Sequence, residues 1–202
     1  MALHDGLRAR KKALTRKQIS EAAYDVVREH GIEALTADAV SQRADVSRRT
    51  FFNYFTTVES CLEPVIHEFL DDIDHKLQES QVQGPLMASL ADLVLEHDDV
   101  DLLERITVLG MAAHNSSAHR GLFQECSHTW VDDFSDQLSQ KAGDVDDLYV
   151  VGAATALISA AEASLRVWMR RTGGSITPRN LELRRQLLAD AIRRLGAGFD
   201  TL

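Results

Sequence analysis

Four of the chain's twelve aromatic side chains sit within five residues, at Phe51, Phe52, Tyr54 and Phe55. Ser47 is a good helix N-cap and Thr56-Thr57 follows the block, so the segment between them reads as a helix of about two turns. A helix that short cannot bury four large rings, and some of them must face outward for a reason. Phe51 and Phe55 are four apart and should face inward with Val40 and Ala44, as neighbours on one helical face do. That leaves Arg48, Arg49, Thr50, Asn53 and Tyr54 on the remaining arc.

Upstream, Thr15-Arg16-Lys17-Gln18 has the form of a capping box and predicts a helix start at Thr15. Ile19, Ala22, Ala23, Val26 and Val27 recur at helical spacing, and His30-Gly31 supplies a basic last turn and a left-handed stop. Thr36 caps a second helix through about Arg43, and Asp45-Val46-Ser47 suits a tight turn before the aromatic helix. Three short helices with such a turn between the second and third describe a helix-turn-helix, whose third helix enters the DNA major groove. There arginine can hold guanine with two bonds, asparagine can do the same for adenine, and tyrosine suits a phosphate.

The net charge of −9 argues against nucleic acid until its distribution is considered. Residues 1–56 hold 10 Lys+Arg against 7 Asp+Glu, leaving 12 against 24 for the remainder. One end is basic and the other strongly acidic. The arm Arg8-Ala9-Arg10-Lys11-Lys12 either follows the DNA backbone or is a solvated tail.

Beyond Thr57 the pattern stays helical. Val58, Leu62, Val65, Phe69, Ile73 and Leu77 recur at three- and four-residue steps, and Gly84-Pro85 ends that stretch. Four more helices are predicted at about 86–97, 99–113, 118–141 and 145–172, with Asp144 before the last of these and Gly173-Gly174 after it. A final helix opens at Thr177-Pro178, with proline at its first position, and ends before Gly196. With no strand alternation and no repeat, the expected fold is all-α, with a DNA-binding domain over 1–56 and a helical ligand-binding and dimerisation domain over 57–202.

The run from Thr15 to Leu62 resembles the DNA-binding domain of the TetR family of bacterial transcriptional regulators. The resemblance rests on Ile19-x-x-Ala22-Ala23, His30-Gly31, Thr36, Ala44-x-Val46-Ser47 and Thr50-Phe51-Phe52-x-Tyr54-Phe55. It covers about a quarter of the chain. Three positions depart from the family's usual pattern: Asp45 stands for a turn glycine, Phe52 for a tyrosine whose hydroxyl contacts phosphate, and Val58 for a lysine. Aspartate accepts left-handed backbone angles better than most residues. The free N–H groups at the starts of the second and fourth helices, beside the hydroxyls of Thr36 and Thr57, can supply some of the missing phosphate contact. The resemblance implies a dimer built from the last two helices.

In the helix over 145–172, Gly152, Ala156, Ala160 and Ala163 form a stripe of small residues beside a larger apolar one. With Leu188 and Ile192 of the final helix, that stripe suits a homodimer interface; the alternative is a central helix buried all round. Met87, Ile106, Met111, Phe123, Trp130, Phe134 and Trp168, with Leu90 and Val94, can line a ligand cavity or serve as plain core. His114 could add polar groups to such a cavity. No basic cluster over 86–165 would clamp an anion, so the expected ligand is a small, apolar, uncharged or cationic molecule. The fourth helix, from Thr57 to near Gln81, would link the two domains mechanically.

Enzymatic readings find no support. His67-Glu68 begins like a zinc-protease helix, but Asp71 stands where the second histidine should be, and no hydrolase, phosphate-loop or dinucleotide motif occurs. His67 with Asp71, or Asp71, Asp74 and His75, reads as solvated surface before it reads as a cation site. No cofactor or metal is expected. Cys61 and Cys126 form no disulfide framework, and no secretory signal or apolar run of about 20 residues is seen. A cytoplasmic protein without a membrane partner is expected. The expected function is a repressor released from a palindromic operator by a small apolar ligand. The alternatives are a constitutive or activating regulator, or a helical adaptor that binds protein.

Overall fold

A computed structural model of the chain describes residues 2–79, 87–88, 91–92, 95, 100–142 and 146–198. The elements are α1 (Ala2–His30), a 3-10 turn at Ile32–Ala34, α2 (Ala37–Arg43), α3 (Arg48–Tyr54) and a second 3-10 turn at Glu59–Leu62. Then follow α4 (Glu63–Glu79), α5 (Val100–Asn115), α6 (Ser117–Ala142), α7 (Asp147–Thr172) and α8 (Pro178–Gly196). Residues 87–88, 91–92 and 95 are also helical, within the predicted 86–97 helix. The fold is all-α, with no strand among the described residues. Gln81, Gly84-Pro85, Leu90, Val94 and Asp144 lie outside the described residues.

The chain divides into two compact units, one of residues 1–69 and 112–124, the other of residues 70–111 and 125–202. In the first unit, Ile19, Ala22, Ala23, Val26 and Val27 are buried as their spacing predicts, and Tyr24 joins them. Val40, Ala44, Phe51, Phe55, Cys61, Leu62, Val65 and Ile66 complete the buried set. Near the N-terminal helices, two element boundaries differ from the sequence reading. α1 runs through Thr15 without a break, so the capping box is not formed, and Gln18 instead donates its amide to Ala44 O at 2.8 Å. The residues before Thr15 contain no proline to stop the helix, so it continues through the potential N-cap. The fourth helix starts at Glu63, not at Thr57. Pro64, at its second position, lacks an N–H and is best tolerated in a first turn. The preceding residues form the 3-10 turn, which Thr57 supports by accepting from Ser60 N at 3.2 Å.

At the corner between α5 and α6, Arg120 donates to His114 O at 3.0 Å and to Ala113 O at 3.4 Å, satisfying carbonyls at the end of α5. His119 Nδ1 lies 2.8 Å from Ser116 Oγ, and burial pushes this histidine's pKa down.

The second unit is organised by the pairing of α7 with α8. Asp146, two residues after the predicted Asp144, caps α7 by accepting from Leu148 N at 3.0 Å. Gly173 ends α7 in the left-handed region (φ 65°), and Thr177 caps α8 by accepting from Asn180 N at 3.2 Å, with Pro178 at the first position. α8 takes in Gly196. Trp168 is fully buried and donates its indole N–H to Asn180 O at 2.6 Å, pinning the end of α7 to the start of α8. Further along, Arg184 is 3% exposed. It donates to Ser164 Oγ at 2.7 Å and to Ala161 O at 3.2 Å, and burial pushes its pKa down to about 10. Ala91, Ala160, Ala189 and Ile192 form a buried cluster against which Met87, Leu157 and Leu188 pack. A Cβ on Gly110 would lie 2.5 Å from Leu165 Cδ2, so glycine permits the close approach of α5 to α7.

Contrary to the sequence reading, one stretch, Leu148–Thr172 of α7, is long and apolar enough to cross a membrane by length and composition. Within the second unit the reason is that both its sides are apolar. Val150, Ala154, Ala160, Leu165 and Trp168 are buried, while Leu148, Tyr149 and Val151 are exposed.

Candidate nucleic-acid interface

α2, the turn and α3 follow from local chemistry. Thr36 caps α2 by accepting from Ala39 N at 3.1 Å, and Ser47 caps α3 by accepting from Thr50 N at 3.0 Å. Each cap satisfies one of the N–H groups that a helix start leaves unpaired. Asp45 takes the left-handed conformation, φ 51°, that the turn requires. Val46 N then bonds Ser41 O at 2.9 Å, closing the turn.

Phe51 and Phe55 are buried, their ring centroids 5.8 Å apart, and they fix the rotation of α3. The outward arc is therefore determined: Arg48, Arg49, Phe52 and Asn53 are exposed, while Thr50 and Tyr54 are half-buried. Arg48 is held by two contacts, Asp38 at 3.4 Å and the ring of Phe52, whose centroid lies 5.7 Å from the guanidinium. Among the described residues no side-chain bond or ion pair engages Arg49 or Asn53. Two cationic and one amide side chain thus stand on a short helix pinned from behind by two phenylalanines.

The platform beneath is braced by polar contacts. Arg43 of α2 reaches Glu29 at 2.7 Å and Asp25 at 3.2 Å, both on α1. The hydrogen bond from Arg43, with its charge and that of Arg28, holds the Glu29 carboxyl at about 2, well below the usual carboxylate range. Arg16 stacks over Phe55 with 4.7 Å from guanidinium to centroid, donates to Tyr54 O at 3.4 Å and pairs with Glu63 at 3.4 Å. These contacts tie α1 to the end of α3 and the start of α4.

Residues 19–65 match the sequence profile of the bacterial regulatory proteins, tetR family. The N-terminal unit carries a tetR-family domain. Solved structures extend the likeness in fold over most of the chain. The fatty acid degradation regulator FadR from Bacillus halodurans is 17% identical, covering 93% of this chain and 97% of that one at a TM-score of 0.61. GusR of Salmonella enterica is 16% identical, with 89% and 95% covered and a TM-score of 0.55. The multidrug binding protein EbrR, complexed with malachite green, is 21% identical, with 87% and 96% covered and a TM-score of 0.52. Comparison with curated protein sequences gives no significant match.

Within the tetR-family domain, the sequence reading placed Thr36, Arg48, Arg49, Thr50, Asn53, Tyr54 and Thr57 together, and all lie in the first unit. The contact of Arg16 with Tyr54 O and that of Gln18 with Ala44 O span 38 and 26 residues and leave no periodic trace; Gln18 was expected instead in a capping box. Arg10, Lys11 and Lys12 of the basic arm lie exposed on the α1 helix. The other residues singled out in the sequence fall in both units. Met87 and Leu188 are partly buried against the alanine and isoleucine cluster, Ile106 and Met111 are half-buried, and Trp130 and Trp168 are buried in the second unit. His114, exposed, and Phe123, half-buried, belong to the first unit. The Phe134 side chain lies outside the described residues. Gly152 and Ala163 are exposed and Ala156 half-buried. Ala160 and Ile192 are buried against Ala91 and Ala189 of their own chain. Leu148, Gly152, Thr155, Ser159 and Ala163 form an accessible strip along α7.

Proposed function

We propose that this chain is a dimeric transcriptional regulator that reads a palindromic operator with α3 and is released from it by a small apolar molecule, acting in the cytoplasm as a repressor. The observation that carries the reading is the outward arc of α3. Arg49 and Asn53 stand exposed on a helix whose rotation is fixed by Phe51 and Phe55, and these are the side-chain types that make paired bonds to guanine and adenine in the major groove. An adaptor that binds protein has no need of such a pair beside a basic arm. One two-turn helix contacts too few bases for useful selectivity, and a two-fold pair doubles the number.

The second copy would dock on α7. Leu148 is 80% exposed, Tyr149 57% and Val151 41%, a patch of the kind that marks an interaction surface. Release by a ligand is supported by analogy of fold with the multidrug binding protein EbrR in complex with a dye. Its route would be α4, of which residues 63–69 belong to the first unit and 70–79 to the second. A hundredfold loss of operator affinity needs about 2.7 kcal/mol of coupling between the two sites, and that coupling is reciprocal.

The test is selection of duplex DNA from a random library by the full chain, followed by titration of the enriched sequence. Enrichment of a palindrome is expected. Recovery of no preferred sequence at low salt would leave the adaptor reading in its place.

A further inference from the structure

Phe52 is the one large apolar side chain on the outward arc of α3, and it is 45% exposed. Its neighbours hold it there. The ring meets Phe51 edge-on, centroids 5.2 Å apart at 86°, and Arg48, one turn back, lies over it at 5.7 Å. Phe51 is anchored in the core, so Phe52 cannot turn inward without displacing it. On a helical wheel Phe52 falls between Arg48 and Arg49, on the side of the arc that leads to Asn53.

We propose that Phe52 is a specificity-determining residue that reads the 5-methyl group of thymine in the major groove, with Arg48 as the positioning residue that keeps its ring turned outward. The inference rests on α3 being the DNA-reading helix. The thymine methyl is the one apolar feature on the major-groove edges, and an aromatic ring is among the side chains that recognise it. A phenol would direct a hydroxyl to phosphate; Phe52 has none, so its contribution is contact with carbon. The Asp38 carboxylate 3.4 Å from Arg48 and the ring together steady that guanidinium in the free protein. Arg49 and Asn53, which no described side chain engages, flank the ring on the same arc, and the read site should place thymine beside the purines they contact.

The experiment uses the full chain and the duplex selected from a random library. Each thymine is replaced by uracil, which removes only the methyl group, and affinity is measured for wild type, Phe52→Ala and Arg48→Ala. Burying one methyl is worth about fourfold in affinity, so one uracil substitution per half-site should weaken wild-type binding about fourfold at each. Phe52→Ala should bind more weakly and lose this discrimination, with a circular dichroism spectrum unchanged because the side chain is exposed. Arg48→Ala should keep part of the discrimination. Uracil and thymine duplexes binding equally to wild type, or an equal methyl effect in Phe52→Ala, would overturn the inference while DNA binding stands. Selection that enriches no duplex would instead remove the DNA-binding reading itself, and this one with it.

Discussion

Replacing Trp168 by phenylalanine separates a packed seam from a ligand-facing wall. Trp168 has 0% exposure, and its indole donates to Asn180 O at 2.6 Å across the α7–α8 corner. Trp168→Phe deletes that hydrogen bond, worth about 0.5–1.5 kcal/mol net. It also leaves unfilled space beside a smaller ring, adding about 1–2 kcal/mol. The sum is about 1.5–3.5 kcal/mol, and Trp168→Ala, which empties the site, should cost about 3–5 kcal/mol. For a chain of this length each kcal/mol moves Tm by about 2–4 °C, so Trp168→Phe should melt roughly 3–14 °C lower. Thermal unfolding followed at 222 nm measures this, with Trp130 as the remaining fluorophore. An unchanged Tm in Trp168→Phe would refute the seam and return Trp168 to the residues that face a ligand.

Three further outcomes follow from particular contacts. Ser47→Ala removes the acceptor for Thr50 N at 3.0 Å and should lower stability by about 1 kcal/mol, read as a reduced denaturation midpoint; no change would mean that α3 starts without its cap. Glu29, held at about 2 instead of 4.5, has a lowered folded-state pKa, so its contribution is complete above about pH 4.5 and lost as pH falls toward 2. The stability gap between wild type and Glu29→Gln should therefore narrow over that window in acid unfolding, and a gap that stays constant would count against the Arg43 brace. Ala163→Arg, at an exposed position of α7, should convert a dimer to monomers in sedimentation at micromolar concentration; an undisturbed dimer places the interface elsewhere.

The legible parts of the fold were those governed by local rules. Thr36, Ser47, Thr177 and Gly173 act as caps because capping depends on a few adjacent residues. Phe51 and Phe55 face inward because a four-residue step returns to the same helical face. The left-handed Asp45 was foreseeable because the family resemblance places a turn glycine at that position. What the sequence left hidden depended on distant partners. Nothing near Gln18 indicates that its amide will reach Ala44 O, and so a plausible capping box gave way to a continuous helix. On α7 the periodicity shows two apolar sides but not which one the chain covers itself. Packing by Ala91, Ala189 and Ile192 takes Ala160 into the core, while Gly152 and Ala163 stay outside. Among the outward residues of α3, the outward setting of the Phe52 ring depends on its contacts with Phe51 and Arg48, which no spacing in the sequence shows.

The central claim is that the outward arc of α3 reads DNA bases, and the most direct measurement is a fluorescence anisotropy titration of the selected duplex with wild type, Arg49→Ala and Asn53→Ala. Each substitution removes an exposed side chain that no described residue engages, so folding should be unaffected. Loss of a paired base contact is worth about 1–3 kcal/mol, and each variant should bind about 5- to 150-fold more weakly per half-site. Each should also become indifferent to substitution of one particular base pair. Unchanged affinity and unchanged base discrimination in both folded variants would contradict the account and take α3 out of the groove.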